Sequence, residues 1–339
     1  MPVTGHPPAA RVSPSAVAAL AAALAAAACG LGPPPAAGPA PSNRPVALIV
    51  EPDAGAAAIV DLVTAARVSV WLEMYLLTDG RAIDALAARA RAGADVRVIL
   101  EPAPYQAEEA NQPAAAALAA AGATVRWASP RFTYTHAKTM IVDHARLAIM
   151  TLNLTRAGLG GNREYAAVDD DRLDVAAAEA VFAADELGAA AGAGTGGRLV
   201  TSPDTSRTAL TDLIAGAEVS LAIETEELTD QGIIAALMAA RARGVAVTLA
   251  WPGPPDAGGA FAALATAGAT VRAVGQPAIH AKVVVADGRR LYLGSANFTP
   301  TSLDRNRELG LRIDAPDVAR RVAAIVADDA ARGTPPPAR

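Results

Sequence analysis

Two histidine-lysine pairs hold most of the chemistry that this sequence can offer. They are His136-Ala137-Lys138 and His280-Ala281-Lys282, and their lysines are the only two in the 339-residue chain. Every other cationic side chain is arginine, so these two places take lysine for something that arginine cannot supply. A compact ammonium with three donors holds a phosphate as a point charge, where a planar guanidinium fork has different reach and shape. Beside such a charge a neutral imidazole can attack phosphorus, while a protonated one opposite gives its proton to the leaving alkoxide. Two histidines in one cavity would thus split one hard displacement into two easier ones through a phosphohistidine.

The residues downstream of the two pairs keep step. Asp143 and Asp287 each come five places after a lysine, and Met150-Thr151-Leu152-Asn153 corresponds to Gly294-Ser295-Ala296-Asn297. Asn162-Arg163-Glu164 and Asn306-Arg307-Glu308 close the two series, each Glu eleven places after Asn153 or Asn297. Lys138, Lys282, the hydroxyls of Thr151 and Ser295 and the amides of Asn153 and Asn297 would form a cradle of donors around a phosphodiester anion. The chain has one cysteine, and its only other histidines are His6 and His144. His144 follows Asp143 in a predicted turn and reads as an exposed turn residue. With lysines that would repel a cation from the same cavity, no metal and no cofactor is expected.

Positioning these groups is the task of an internal repeat. Residues 68–79 (VSVWLEMYLLTD) match 219–230 (VSLAIETEELTD), and 121–126 (AGATVR) recurs at 267–272. Short β-branched runs at 46–50, 68–72, 96–100 and 123–127 alternate with alanine-rich segments such as 83–92 that have helical spacing. After the fourth run the segments 138–142, 147–152 and 165–168 follow too closely for crossover helices, which predicts an α/β fold with a mixed sheet and helices on both faces. Within a strand, residues two apart share a face, so each histidine projects beside its lysine. Glu73 and Glu224 stand at matching strand ends, where they either border the site or are solvated. The expected organisation is a first repeat at 46–187, a glycine-rich linker at 188–197 and a second repeat at 198–332.

The pattern His-x-Lys-x4-Asp-x6-Gly-Ser-x-Asn resembles that of the phospholipase D superfamily. The second copy matches it throughout, and the first departs only at Met150 and Thr151. The resemblance implies two α-β-α sandwich repeats related by a pseudo-twofold axis, with the active site at their interface. It further implies that His136 is the nucleophile, that His280 is the acid and then the base for water, and that Glu164 and Glu308 accept from the other ring nitrogen. Asp143 and Asp287 are structural in this reading.

The superfamily leaves the substrate open. Net charge is −5 and no basic run is present to neutralise successive phosphates, which argues against nucleic acid as the partner. A phospholipid is therefore the expected substrate of a phospholipase D-type phosphoric diester hydrolase. A nuclease of the same superfamily, a phosphatidyltransferase such as a cardiolipin synthase, and a non-catalytic phosphate or lipid binder are the alternatives. Arg131-Phe132-Thr133-Tyr134 and Ile279 could form an apolar entrance. One chain carries both halves, so a monomer is expected.

Residues 15–28 form an apolar, alanine-dominated run that ends at Cys29, too short for an ordinary span and suited to the core of a signal peptide. Residues 1–29 resemble a bacterial lipoprotein signal with Cys29 as the lipidated residue, followed by a proline- and alanine-rich linker at 30–45. The expected location is the cell envelope, membrane-anchored or secreted. Cys29→Ser should then release the protein from membranes in a detergent partition, and equal partition of the two forms would sink the lipid anchor.

Overall fold

The computed structural model of the protein describes residues 46–189, 197–254 and 259–336. The expected signal with Cys29, the expected 30–45 linker and most of the expected glycine-rich linker lie outside the described residues. Two mixed sheets are flanked by helices. In the first half β1 (Ala47–Glu51), α1 (Ala57–Thr64), β2 (Ser69–Met74), α2 (Gly80–Arg91), β3 (Asp95–Leu100), α3 (Gln112–Ala120) and β4 (Thr124–Trp127) are followed by β5 (Lys138–Val142), β6 (Arg146–Met150), β7 (Asn162–Asp169) and α4 (Arg172–Glu186). The second half repeats the plan with β8 (Leu199–Ser202), α5 (Ser206–Ala215), β9 (Ser220–Thr225), α6 (Gln231–Ala242), β10 (Ala246–Trp251), α7 (Gly259–Thr266) and β11 (Thr270–Ala273). A two-residue β12 (Ala278–Ile279) then precedes β13 (Lys282–Ala286), β14 (Arg290–Gly294), α8 (Pro300–Asp304), β15 (Glu308–Ile313) and α9 (Pro316–Arg332).

Strand order is β1-β7-β6-β5-β2-β3-β4 in one sheet and β8-β15-β14-β13-β9-β10-β11 in the other, so the two halves share one topology. Pairing is parallel in β2-β3-β4 and in β9-β10-β11 and antiparallel elsewhere along both paths. The repeated Leu-Thr-Asp that ends each matched segment is a strand-to-helix turn. Asp79 accepts from the Arg81 N–H at 3.0 Å and Asp230 from the Ile233 N–H at 3.0 Å, each capping a helix for about 1 kcal/mol. Asp143 and Asp287 take a left-handed turn, with φ of 54° and 55°. The Asp143 carboxylate accepts from the N–H groups of Arg67, Val68 and Ser69, and Asp287 from those of Glu218, Val219 and Ser220. Burial would raise both acids, but these backbone donors hold them below the usual carboxylate range.

Between the sheets lies one apolar core drawn from both halves, with Ile141, Ile149 and Phe182 beside Val283, Leu293 and Val322. The outer face of each sheet carries its own second core against α1–α3 or α5–α7. Packing also accounts for the Met150 departure. A Cβ at Gly294 would lie 2.6 Å from the Gly310 Cα and 2.7 Å from the Tyr292 hydroxyl, so only glycine fits there. The first half has Ala148 where the second has Tyr292, and Met150 stands opposite Ala166. One half thus fills the place with Ala148 and Met150 and the other with Tyr292 and Gly294.

Two matched buried ion pairs cross between the halves, in addition to the pairing of Arg198 with Asp169 and Asp174. Arg163 of the first donates to Asp329 of α9 at 2.6 Å, and Arg307 of the second donates to Asp185 of α4 at 3.0 Å. Glu73 and Glu224, read from sequence as site-bordering or solvated, are buried beside these pairs. Burial first, and then the Asp185 charge, raises Glu73 well above its ordinary value, and burial with Asp329 does the same to Glu224. Each glutamate is therefore shifted toward its neutral form next to an arginine-aspartate pair. Ile279 joins the shared core and lines no entrance. Among the described residues no helix is long and apolar enough to cross a membrane. Asp185→Leu, which strands the Arg307 charge, should cost about 3–5 kcal/mol of stability by urea denaturation, and the double variant Asp185→Leu/Arg307→Met should recover most of it.

Candidate active site

The strand that leads into each histidine is zipped to the other half. Residues 278 and 279 pair in parallel with Asn162 and Arg163, and Thr135 forms the equivalent bridge to Arg307. The His136 N–H donates to the Arg307 carbonyl at 2.8 Å, and the His280 N–H to the Arg163 carbonyl at 3.3 Å. This places each imidazole against the glutamate of the opposite Asn-Arg-Glu triplet. His136 Nδ1 lies 2.9 Å from Glu308 Oε2, and His280 Nδ1 lies 2.6 Å from Glu164 Oε1. The triplet begins at β7 in the first half, three residues earlier than the strand at 165–168 read from sequence. In the second-half triplet the asparagine helps aim the glutamate, since Asn306 Nδ2 donates to Glu308 Oε1 at 3.1 Å.

Burial opposes charge on Glu164 and Glu308, yet the histidine and lysine charges around them lower both below the usual glutamate value. An ionised acceptor at Nδ1 keeps the proton there and leaves Nε2 of a neutral imidazole with its lone pair. His136 is pushed down to about 4, first by burial and then by Lys138 and Lys282, against the pull of Glu308. It is neutral over the physiological range and has the protonation state of a nucleophile.

Both lysines are fully buried. Lys138 Nζ donates to the carbonyl of His136 at 2.8 Å, and Lys282 Nζ to that of His280 at 2.5 Å. Each ammonium is tied to the backbone of its own motif, a place where a guanidinium would meet the carbonyl with a longer and wider group. Burial lowers Lys138 to about 7. Thr151 and Ser295, expected among the phosphate donors, are engaged elsewhere. Thr151 Oγ1 donates to Glu164 Oε2 at 2.6 Å, and Ser295 Oγ donates to the Leu309 carbonyl at 3.3 Å while accepting the Leu309 N–H at 3.1 Å. They position the glutamates and the strand that carries Glu308. Asn153 and Asn297 are buried with their Oδ1 atoms unpartnered in the protein.

One site residue escaped the sequence reading. Glu226, just past β9, places Oε2 2.9 Å from Lys282 Nζ, 3.4 Å from His280 Nε2 and 3.4 Å from Asn297 Nδ2. Its counterpart in the repeat is Tyr75, whose ring lies 4.6 Å from that of His136 and 5.2 Å from Lys138 Nζ. The mismatch of Tyr with Glu in two otherwise similar segments was the available signal.

A family model described as "Cardiolipin synthase, PLD-like domain" matches residues 59–186 and 210–329. Solved structures of similar fold include a polyphosphate kinase from Porphyromonas gingivalis, at TM-score 0.64 and 18% identity over 84% of this chain and 50% of that one. A phosphatidylserine synthase from Haemophilus influenzae Rd KW20 gives TM-score 0.60 and 12% identity over 85% and 86% of the two chains. This chain spans half the length of the kinase, and at these identities the likeness is one of fold. No curated protein matches the sequence.

The titrations of His136 and Lys138 set a pH window. A depressed histidine value means that neutral His136 is lost only as pH falls through about 4, and a depressed lysine value means that the Lys138 charge is lost as pH rises through about 7. A plot of kcat/KM against pH on a phosphodiester should be bell-shaped between these limits, and an acid limb at the ordinary histidine value of about 6.5 would contradict a neutral, buried His136.

Proposed function

The chain belongs to the PLD-like domain family, and from that premise we propose that it is a phosphodiesterase that hydrolyses a phospholipid through a phosphohistidine. The observation that supports this reading most is the crossed pairing of each histidine with a glutamate of the other half, because it puts both imidazoles into one cavity with the two buried lysines. His136 Nε2 attacks phosphorus, the bond from phosphorus to the leaving oxygen breaks, and His280 gives its proton to that oxygen. Water then attacks the phosphohistidine with His280 taking its proton, the phosphorus-nitrogen bond breaks and a phosphomonoester leaves. Lys138, Lys282, Asn153 and Asn297 offset the charge that gathers on the phosphoryl oxygens.

Lipid is favoured over nucleic acid by the net charge of −5 and the lack of a basic run. A phosphatidyltransferase differs only in using an alcohol in place of water on the same intermediate, and the description of the matched family favours it as the second reading. The purified protein should be assayed in chelator on phosphatidylcholine, phosphatidylglycerol and plasmid DNA, with and without glycerol as acceptor. Release of phosphatidic acid supports hydrolysis, a new phosphatidyl alcohol supports transfer, and cleavage of DNA alone rejects both. His136→Ala and His280→Ala should each lower turnover by roughly 100-fold or more, and a variant that keeps a tenth of the rate would refute two half-sites that act together.

A further inference from the structure

In the second half-site the anion place is already taken. Lys282 Nζ, His280 Nε2 and Asn297 Nδ2 converge on a single oxygen, Glu226 Oε2, at 2.9, 3.4 and 3.4 Å. Lys282 and Asn297 are donors that the proposed reaction needs for phosphate, and His280 is its acid. Nothing comparable stands in the first half, where Tyr75 offers a ring face to Lys138 and its hydroxyl accepts the Tyr105 N–H at 2.6 Å. The Glu226 side chain is 32% exposed while the lysine it meets is fully buried, so it approaches from the solvent side and can withdraw there. It is held ionised, because the Lys282 and His280 charges outweigh its burial and take it below the usual carboxylate range.

An ionised carboxylate at the mouth of a phosphate seat repels whatever anion enters, and the repulsion scales with the charge of the entrant. A phosphodiester carries one negative charge. A phosphomonoester has a second pKa of about 6 and carries close to two at neutral pH. The residues that ring Glu226 come from both halves: Lys282 and His280 directly, Lys138 and the neutral His136 across the cavity, with Glu164 and Glu308 behind the two imidazoles. Three carboxylates, Glu226, Glu164 and Glu308, face the two lysines there, so one further negative charge on the ligand is felt.

We propose that Glu226 is a specificity-determining charge filter that admits phosphodiester monoanions to the site and disfavours phosphomonoester dianions, the product of hydrolysis among them. In the empty protein its carboxylate occupies the place of a phosphoryl oxygen and keeps Lys282 and Asn297 aimed. When a diester enters, the carboxylate gives up that place and turns to solvent. After the reaction the ligand has gained a charge, and the same carboxylate favours its departure.

The inference rests on the site being a phosphate site, and its test reads binding instead of turnover. Dimethyl phosphate, a monoanion, and glycerol phosphate, mostly a dianion at about pH 7, are titrated calorimetrically into the wild-type protein and Glu226→Gln. Loss of the carboxylate should tighten glycerol phosphate by about tenfold more than it tightens dimethyl phosphate. Glu226→Asp, which restores the charge, should return the ratio toward that of the wild type. Equal tightening of both probes, or weaker binding of both as expected if Glu226 only props Lys282, overturns the filter. If neither probe binds any form, the phosphate site falls with it; if the ratio changes as stated in a protein that hydrolyses no lipid, the filter stands and the substrate proposal fails.

Discussion

The structure turns on an exchange of one three-residue segment between its halves. Asn-Arg-Glu does its work across the interface: the backbone receives the opposite histidine strand, the arginine reaches a buried aspartate in the opposite helix, and the glutamate meets the opposite imidazole. Breaking the arginine-aspartate or the histidine-glutamate contact would deprive a buried ionisable group of its partner across the interface, a penalty of several kcal/mol. The geometry of the histidine-glutamate pairs and the docking of the halves are therefore one constraint. A half on its own would have a lysine and a histidine, but the glutamate that meets that histidine and the buried aspartate that meets its arginine both belong to the other half.

Much of this could be read from the chain before any coordinates. The spacing of His, Lys, Asp, Asn and Glu in two copies is a statement about strands and turns, and β5, β6 and β7 with their counterparts lie where that spacing requires. The exchange itself was hidden, because two copies of one motif look the same whether each glutamate serves its own histidine or the other. Only the path of the chain decides, and it does so through β12 and Thr135, segments too short to carry a strand signal. Glu73 and Glu224 were misleading for a related reason. A glutamate at a strand end is usually solvated, and here the opposite half covers it, which no local pattern announces.

The hydroxyls illustrate a different limit. Thr151 and Ser295 have the right chemistry to donate to a phosphate, and their place in the motif invites that reading. Their position near the end of a strand beside the motif glutamates gives them closer acceptors. Thr151 uses its one proton on Glu164, and Ser295 closes on the backbone of Leu309. A donor inventory taken from sequence counts what residues could do and is blind to prior commitments among neighbours.

Carrying both halves in one chain also frees them to differ. In a symmetric pair of identical subunits every change is made twice, so Tyr75 and Glu226 could not coexist, nor could Met150 and Gly294. The packing exchange of Ala148 and Met150 for Tyr292 and Gly294 keeps volume while changing shape, and it leaves the motif strands in register. The exchange of Tyr75 for Glu226 alters charge instead, and it does so on the cavity side of only one lysine. A displacement with a nucleophile on one side and an acid on the other has unlike needs at its two ends. A duplicated fold supplies two like half-sites, and the single substitution that adds a carboxylate beside one imidazole makes them unlike without disturbing the framework that holds both.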